Sequence, residues 1–114
     1  MILVIGGAAS GKLDYVCSLG YDWGDCSDAH LDESPVIFNL QRLIELEGDQ
    51  IPFLFESLLE KEVVVCDEVG SGVIPANRDD RDAREATGRM CIKLAQHAEK
   101  VVRLVAGIPT VIKG

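Results

Sequence analysis

The stretch that decides the fold is Ile2-Leu3-Val4-Ile5-Gly6-Gly7-Ala8-Ala9-Ser10-Gly11-Lys12. Its first four residues form a continuous apolar run, which is typical of a short strand buried on both faces. The pattern G-x-x-x-x-G-K that follows is typical of a loop whose backbone N–H groups surround phosphates, with the lysine reaching the outer ones. A helix is predicted from about Lys12 to Leu19. We therefore predict that the chain binds a nucleoside triphosphate, through Gly6, Gly7, Ala8, Ala9, Ser10, Gly11, Lys12 and Leu13.

Position 13 departs from the usual pattern. Leu13 stands where a Ser or Thr hydroxyl normally ligates Mg²⁺, and a leucine side chain cannot ligate a cation. Two interpretations stay open: other groups hold the metal, or the site binds nucleotide weakly without turning it over. A third alternative is a glycine turn that only lets the first helix pack on the sheet.

A second acidic site follows the strongest strand signal in the chain, Val63-Val64-Val65-Cys66-Asp67-Glu68. In open α/β sheets, ligands bind at the carboxyl ends of the strands, which is where these two acids fall. We predict that Asp67 ligates Mg²⁺ and that Glu68, with Lys12, is catalytic, orienting a nucleophile or taking a proton. The alternative is a strand that simply ends at a solvated acid.

Strand and helix patterns alternate along the remaining chain. Further strands are predicted at 36–39, 101–106 and 110–112, and further helices at 40–47, 52–61 and 78–99. Residues 20–35 are polar and acidic with glycines and a proline, which predicts one long loop. This order indicates an α/β fold with a mostly parallel sheet flanked by helices, in a single domain over residues 1–114.

Composition excludes several classes of partner. The net charge of −8 disfavours binding to nucleic acid or to an anionic membrane, so a nucleotide needs a local positive site. No signal peptide or transmembrane segment is expected from the opening residues. The four cysteines form no CxxC pair, and we interpret them as reduced thiols in a cytoplasmic protein.

Residues 67–78, Asp-Glu-Val-Gly-Ser-Gly-Val-Ile-Pro-Ala-Asn-Arg, resemble the signature E-V-G-x-G-[IV]-[IV]-P-x-[ND] of the adenosylcobinamide kinase/adenosylcobinamide-phosphate guanylyltransferase family. The likeness continues through Arg81, Arg84 and Gly88-Arg89 to residues 105–109, and residues 1–12 are similar to that family's opening strand and loop. The resemblance covers about half the chain. It implies a RecA-like P-loop fold, GTP or ATP with Mg²⁺, a corrinoid substrate and a role in cobalamin biosynthesis.

The resemblance also implies two activities: phosphorylation of adenosylcobinamide, and transfer of GMP through a histidine that carries it covalently. His30 lies among acidic residues, Ser27-Asp28-Ala29 and Leu31-Asp32-Glu33, whereas a histidine that attacks a triphosphate needs cations around it. We therefore expect a kinase rather than a guanylyltransferase. The rival hypothesis is a non-catalytic nucleotide- or corrinoid-binding partner protein. Because the family forms ring-like trimers, a homo-oligomer is also expected.

Four arginines, at positions 78, 81, 84 and 89, begin the long helix. They could reach substrate phosphates or a carboxylate. Asp79, Asp80, Asp82 and Glu85 share this helix, so intrahelical ion pairs explain the arginines equally well.

Overall fold

The computed structural model describes residues 1–47, 50–68 and 78–114 of the chain. It contains six strands: β1 Ile2–Gly6, β2 Cys26–Asp28, β3 Val36–Phe38, β4 Val63–Asp67, β5 Lys100–Val105 and β6 Ile108–Lys113. The α-helices are α1 Lys12–Ser18, α2 Leu40–Glu47, α3 Ile51–Leu59 and α4 Arg78–His97, and a short 3₁₀ helix spans Trp23–Asp25.

The strands form one sheet in the order β2-β3-β4-β1-β5-β6, in which β6 alone runs antiparallel to its neighbour. The central strand, β1, pairs in parallel with β4 on one side and β5 on the other. Gly6 is the register partner of both Asp67 and Leu104. The sheet therefore brings the start of the glycine loop level with the predicted metal ligand, although 61 residues separate them in sequence.

Helices cover both faces of the sheet, because the central strands present apolar side chains to each face in alternation. Leu3 and Val64 point to the side of α2, α3 and α4, where a core forms with Leu40, Leu58 and Leu94. On the opposite face, α1 contributes Val16 to a smaller core made mainly of valines from the strands: Val4, Val36, Val63, Val65 and Val102. The predicted α/β class, a mostly parallel sheet flanked by helices, is confirmed.

The segment from 20 to 35 differs from the prediction of one long loop. It contains the 3₁₀ helix, whose first residue is preceded by Asp22 as the N-cap. The Asp22 side chain accepts a hydrogen bond from Gly24 N, and the Asp25 side chain accepts one from Asp22 N. It also contains β2, which pairs in parallel with β3 and forms the edge of the sheet. A three-residue strand with the sequence Cys-Ser-Asp has little β-propensity of its own, so it forms through pairing with β3 rather than through local preference.

The other boundaries fall within three residues of the predicted ones, the scatter expected where helix and strand ends fray. Much of the signature stretch, residues 69–77, lies outside the described residues. Within the described part, no helix has both the length and the apolar character needed to cross a membrane.

Candidate functional site: a glycine loop facing a side-chain wall

The glycine loop connects β1 to α1 and is shaped by close contacts with backbone. A Cβ atom at Gly6 would fall 2.7 Å from the carbonyl oxygen of Leu104, so only glycine fits beside β5. Gly11 has φ +93° and ends the loop in a left-handed conformation, where a Cβ would also fall 3.0 Å from Cα of Gly107. Gly107 N donates to Ser10 O at 2.9 Å, so a hydrogen bond joins the turn between β5 and β6 to the loop.

The loop lysine lies at the centre of the site. Its Nζ donates to Gly7 O at 2.6 Å and to Gly6 O at 3.2 Å, and it lies 2.9 Å from Oδ1 of Asp67. The Lys12 side chain is only 10% exposed, so its ammonium is held in place rather than free in solvent. The predicted residues Lys12 and Asp67 are thus in direct contact, with the ammonium above the loop that is expected to surround phosphates.

The two acids at the end of β4 have different surroundings. Asp67 is half-buried and faces Lys12, and its backbone N–H donates to Oε1 of Gln41 at 3.0 Å. Glu68 turns to β5, where its carboxylate accepts from Nε and Nη2 of Arg103 in a two-point ion pair. The hydrogen bond that Arg103 donates to Glu68 raises the pKa of the Arg103 guanidinium. A catalytic role for Glu68 stays a prediction.

The residue at position 13 and the serine of the loop have different surroundings. Leu13 is partly buried and lines the cavity described below. Ser10 Oγ is buried, has no hydrogen-bond partner within the described part of the chain, and packs where a Gly6 side chain would be. Among the described residues no three His, Cys, Asp or Glu side chains cluster around a point. Asp67 as a ligand of Mg²⁺, an ion that usually binds one or two carboxylates together with substrate phosphates, stays a prediction.

A cavity of about 620 Å³ opens beside the loop, a size typical of small-molecule sites. Its lining includes the loop and α1 residues from Ala8 to Asp14, together with Asp67. The rest of the lining, which we call the β2–β3 wall, consists of Trp23, Cys26, Ser27, Asp28, Phe38 and Asn39. In the sheet, β4 separates β2 and β3 from β1, which carries the loop. The sequence did not predict this wall.

A chain of hydrogen bonds links the β2–β3 wall to the lysine. Asn39 Nδ2 donates to Asp28 Oδ1 at 2.5 Å, and Asn39 Oδ1 accepts from Gln41 Nε2 at 3.2 Å. Gln41 Oε1 then accepts from the backbone of Asp67, whose side chain meets Lys12. Asn39 directly follows β3, so the strand-end rule that singled out Asp67 would also have found this residue.

Other residues considered from the sequence lie elsewhere. His30 is exposed and does not line the cavity formed by the described residues. Arg89 pairs with Glu85 one turn away along α4, which supports the ion-pair interpretation for that arginine. Cys66 is buried in the core, where a hydrogen bond with Cys91 and then burial raise the pKa of its thiol.

Comparison with known proteins gives two matches. The family model for cobinamide kinase / cobinamide phosphate guanyltransferase matches residues 29–112, about three quarters of the chain. The bifunctional adenosylcobalamin biosynthesis protein CobU of Salmonella typhimurium strain LT2 is 43% identical over 53 residues, which are 46% of this chain and 29% of that protein. The aligned segment is thus under a third of the relative's length. Because the family match begins after the glycine loop, assignment of the loop depends on its own sequence and geometry.

Proposed function

The chain belongs to the cobinamide kinase / cobinamide phosphate guanyltransferase family, and we propose that it is a phosphotransferase of cobalamin biosynthesis that uses GTP or ATP. In this proposal the glycine loop binds the triphosphate and a cobinamide hydroxyl receives the terminal phosphoryl group. One observation carries the proposal: Lys12 Nζ is held by Gly6 O, Gly7 O and Asp67 in the lining of a cavity of ligand size.

The residues present would act mainly by positioning and by neutralising charge, which is how most phosphoryl transfer is catalysed. Loop N–H groups and the N-terminal end of α1 would orient the phosphates. Lys12 would move from Asp67 towards the outer phosphate oxygens and offset the charge that develops there. The acceptor oxygen would bond to the terminal phosphorus as the bridging P–O bond breaks, and the bonding electrons would leave with the nucleoside diphosphate.

Asp67 fits a role as the protein ligand of Mg²⁺. An ion held there would offset the negative charge of the phosphates, as in other phosphotransferases. With Leu13 unable to ligate, the protein would supply fewer ligands than usual, and the nucleotide and water would supply the remainder.

Phosphoryl transfer is favoured over guanylyl transfer by the position of His30. Its side chain is exposed, and its neighbours in sequence are acidic. A covalent guanylyl intermediate needs a histidine facing the triphosphate among cations, and His30 does not line the cavity formed by the described residues.

The second candidate is a non-catalytic protein that binds a nucleotide or a corrinoid and regulates or assists a partner. Leu13 favours this candidate, because the loop lacks the hydroxyl that normally joins Mg²⁺ to the protein. The Lys12–Asp67 ion pair favours it too, since each charge already satisfies the other.

Calorimetric titration of GTP and ATP, each with and without Mg²⁺, separates the candidates when combined with an assay for phosphorylated adenosylcobinamide. We expect saturable binding that tightens with Mg²⁺, and transfer to cobinamide. Binding that is independent of Mg²⁺, with no transfer, would establish the non-catalytic candidate. If neither nucleotide bound, the phosphotransferase and the nucleotide-binding form of the second candidate would both be wrong, and a titration with adenosylcobinamide would test the corrinoid-binding form.

Three further proposals concern the whole protein. We propose that residues 1–114 form a single nucleotide-binding domain, that the protein is cytoplasmic, and that it assembles as a homo-oligomer. Light scattering behind a sizing column would measure the mass, and a value near the 12.4 kDa of one chain would contradict the last proposal.

A further inference from the structure

The β2–β3 wall lines the same cavity as the glycine loop, yet the phosphate-binding chemistry described above uses none of its side chains. Asp28 and Asn39 both line the cavity and are joined by a hydrogen bond. Their sequence positions, 11 residues apart, are brought together by the pairing of Asp28 with Phe38 at the ends of β2 and β3. The polar pair therefore lies at the carboxyl edge of the sheet, where ligands of α/β proteins bind.

The orientation of the bound triphosphate determines whether the nucleotide or the acceptor substrate contacts the β2–β3 wall. The ammonium of Lys12 lies against Asp67 on β4, the next strand from β1 towards β3 and β2. If Lys12 reaches the outer phosphates as proposed above, the terminal phosphate would lie on the β4 side of the loop, with the group that receives it towards β3 and β2. The β2–β3 wall is thus the acceptor side of the cavity.

The distances are compatible with direct contact at the acceptor. Strands β2 and β4 are two places apart in the sheet, or about 10 Å at the usual spacing between neighbours. A reacting oxygen needs to approach phosphorus to about 3 Å, and a proton acceptor needs to lie about 3 Å from that oxygen. Two such steps, about 6 Å together, fit between the side chains of β4 and β2.

Asn39 holds Asp28 in one orientation. Its amide group uses both ends, because Nδ2 donates to Asp28 and Oδ1 accepts from Gln41. Gln41 in turn uses both ends, between Asn39 and the Asp67 backbone, so neither amide can flip without losing hydrogen bonds. Asn39 also has φ +57°, a left-handed conformation that costs energy for most residues and that asparagine tolerates well.

We propose that Asp28 is a catalytic residue that accepts the proton of the attacking hydroxyl, and that Asn39 and Gln41 are positioning residues for it. Asp28 Oδ1 is engaged by Asn39, while Oδ2 has no partner among the described residues and can receive the proton. As the acceptor oxygen bonds to phosphorus, its proton moves to the Asp28 carboxylate and the bridging electrons leave on the nucleoside diphosphate. This assignment rests on the phosphotransferase function proposed above.

Two substitutions test it. Asp28→Asn keeps a hydrogen-bonding oxygen for Asn39 but removes the carboxylate, and we expect kcat to fall about 10²- to 10⁴-fold, the usual contribution of a proton-accepting group. Asn39→Gly suits the left-handed backbone and removes the amide, so the fold is kept while Asp28 loses its orientation; we expect a fall in kcat of about tenfold. Glu33→Gln, an exposed site in the same acidic segment with the same loss of charge, serves as the control.

Each variant is titrated with ATP and GTP by calorimetry and assayed for transfer to adenosylcobinamide. The proposal requires nucleotide affinity unchanged within about twofold in all three variants, with kcat lowered only in Asp28→Asn and Asn39→Gly. Normal kcat in Asp28→Asn, with a wild type that binds and transfers, would overturn the role of Asp28 alone. A wild type that binds without transfer would overturn the catalytic assignment, and a wild type that binds no nucleotide would overturn the proposed function itself.

Discussion

The two sides of the cavity are built in opposite ways. The glycine loop is one contiguous run, Gly6 to Lys12, whose ligand-binding groups are mostly backbone amides. The β2–β3 wall takes side chains from two strands and a 3₁₀ helix, held together by strand pairing and by the Asp28–Asn39 hydrogen bond. A site built from backbone amides can be recognised in the sequence, because it requires glycines at fixed spacing. A site built from side chains on different strands has no such local pattern.

The difference extends to what each side would recognise. Backbone N–H groups and one ammonium suit any triphosphate, so the loop alone gives little discrimination between substrates. The wall offers an exposed indole, a carboxylate and an oriented amide, which are groups that distinguish one acceptor from another. In our account the loop supplies affinity for phosphate and the wall supplies the choice of acceptor.

The largest effect is expected from Lys12→Ala, which removes the ammonium from the loop side. Charge-assisted hydrogen bonds are each worth about 1.5–3 kcal/mol, so losing the contacts to the outer phosphates should weaken GTP and ATP binding about 100-fold. Calorimetry measures this directly. Lys93→Ala, an exposed lysine on α4, is the control and should bind normally; equal affinities for the two variants would mean that the loop is not the phosphate site.

Gly11→Ala should destabilise the loop by straining its backbone, without changing its charge. The new Cβ would meet Gly107 Cα at 3.0 Å in a left-handed backbone, so we expect the free energy of unfolding to fall by about 2 kcal/mol. Urea denaturation measures the change. Gly7→Ala is the matched control, because no atom lies within 4 Å of its Cβ position, and it should lower stability by less than about 0.5 kcal/mol. Similar losses in both variants would contradict the described loop geometry.

Leu13→Ser should produce the smallest change, and it should be a gain. A hydroxyl at this position adds a ligand for Mg²⁺ beside Asp67, and we expect Mg²⁺ to tighten GTP binding about tenfold more than in the wild type, or about 1.4 kcal/mol. Titrations with and without Mg²⁺ give the difference. If Mg²⁺ changed the GTP affinity of the variant no more than that of the wild type, the metal would lie away from α1.

The sequence predicted those parts of the fold whose local pattern and final environment agree. Strand β1, the loop and α1 follow from apolar residues and glycines in order, and β4 follows from its four β-branched or small apolar residues before Asp67. Strand β2 was missed because Cys26-Ser27-Asp28 becomes a strand only beside Val36–Phe38. Asp28 was missed for the same reason. Asn39 ends a predicted strand, yet nothing between positions 20 and 39 shows that its side chain meets Asp28.

The most direct test of the account uses the single tryptophan of the chain. Trp23 is 71% exposed and, as part of the β2–β3 wall, lines the same cavity as the glycine loop. A triphosphate bound at Lys12 should therefore change Trp23 fluorescence saturably in the wild type, and the change should disappear in Lys12→Ala. Trp23 emission that stays constant up to millimolar GTP and ATP would contradict the claim that nucleotide binds between these two sides.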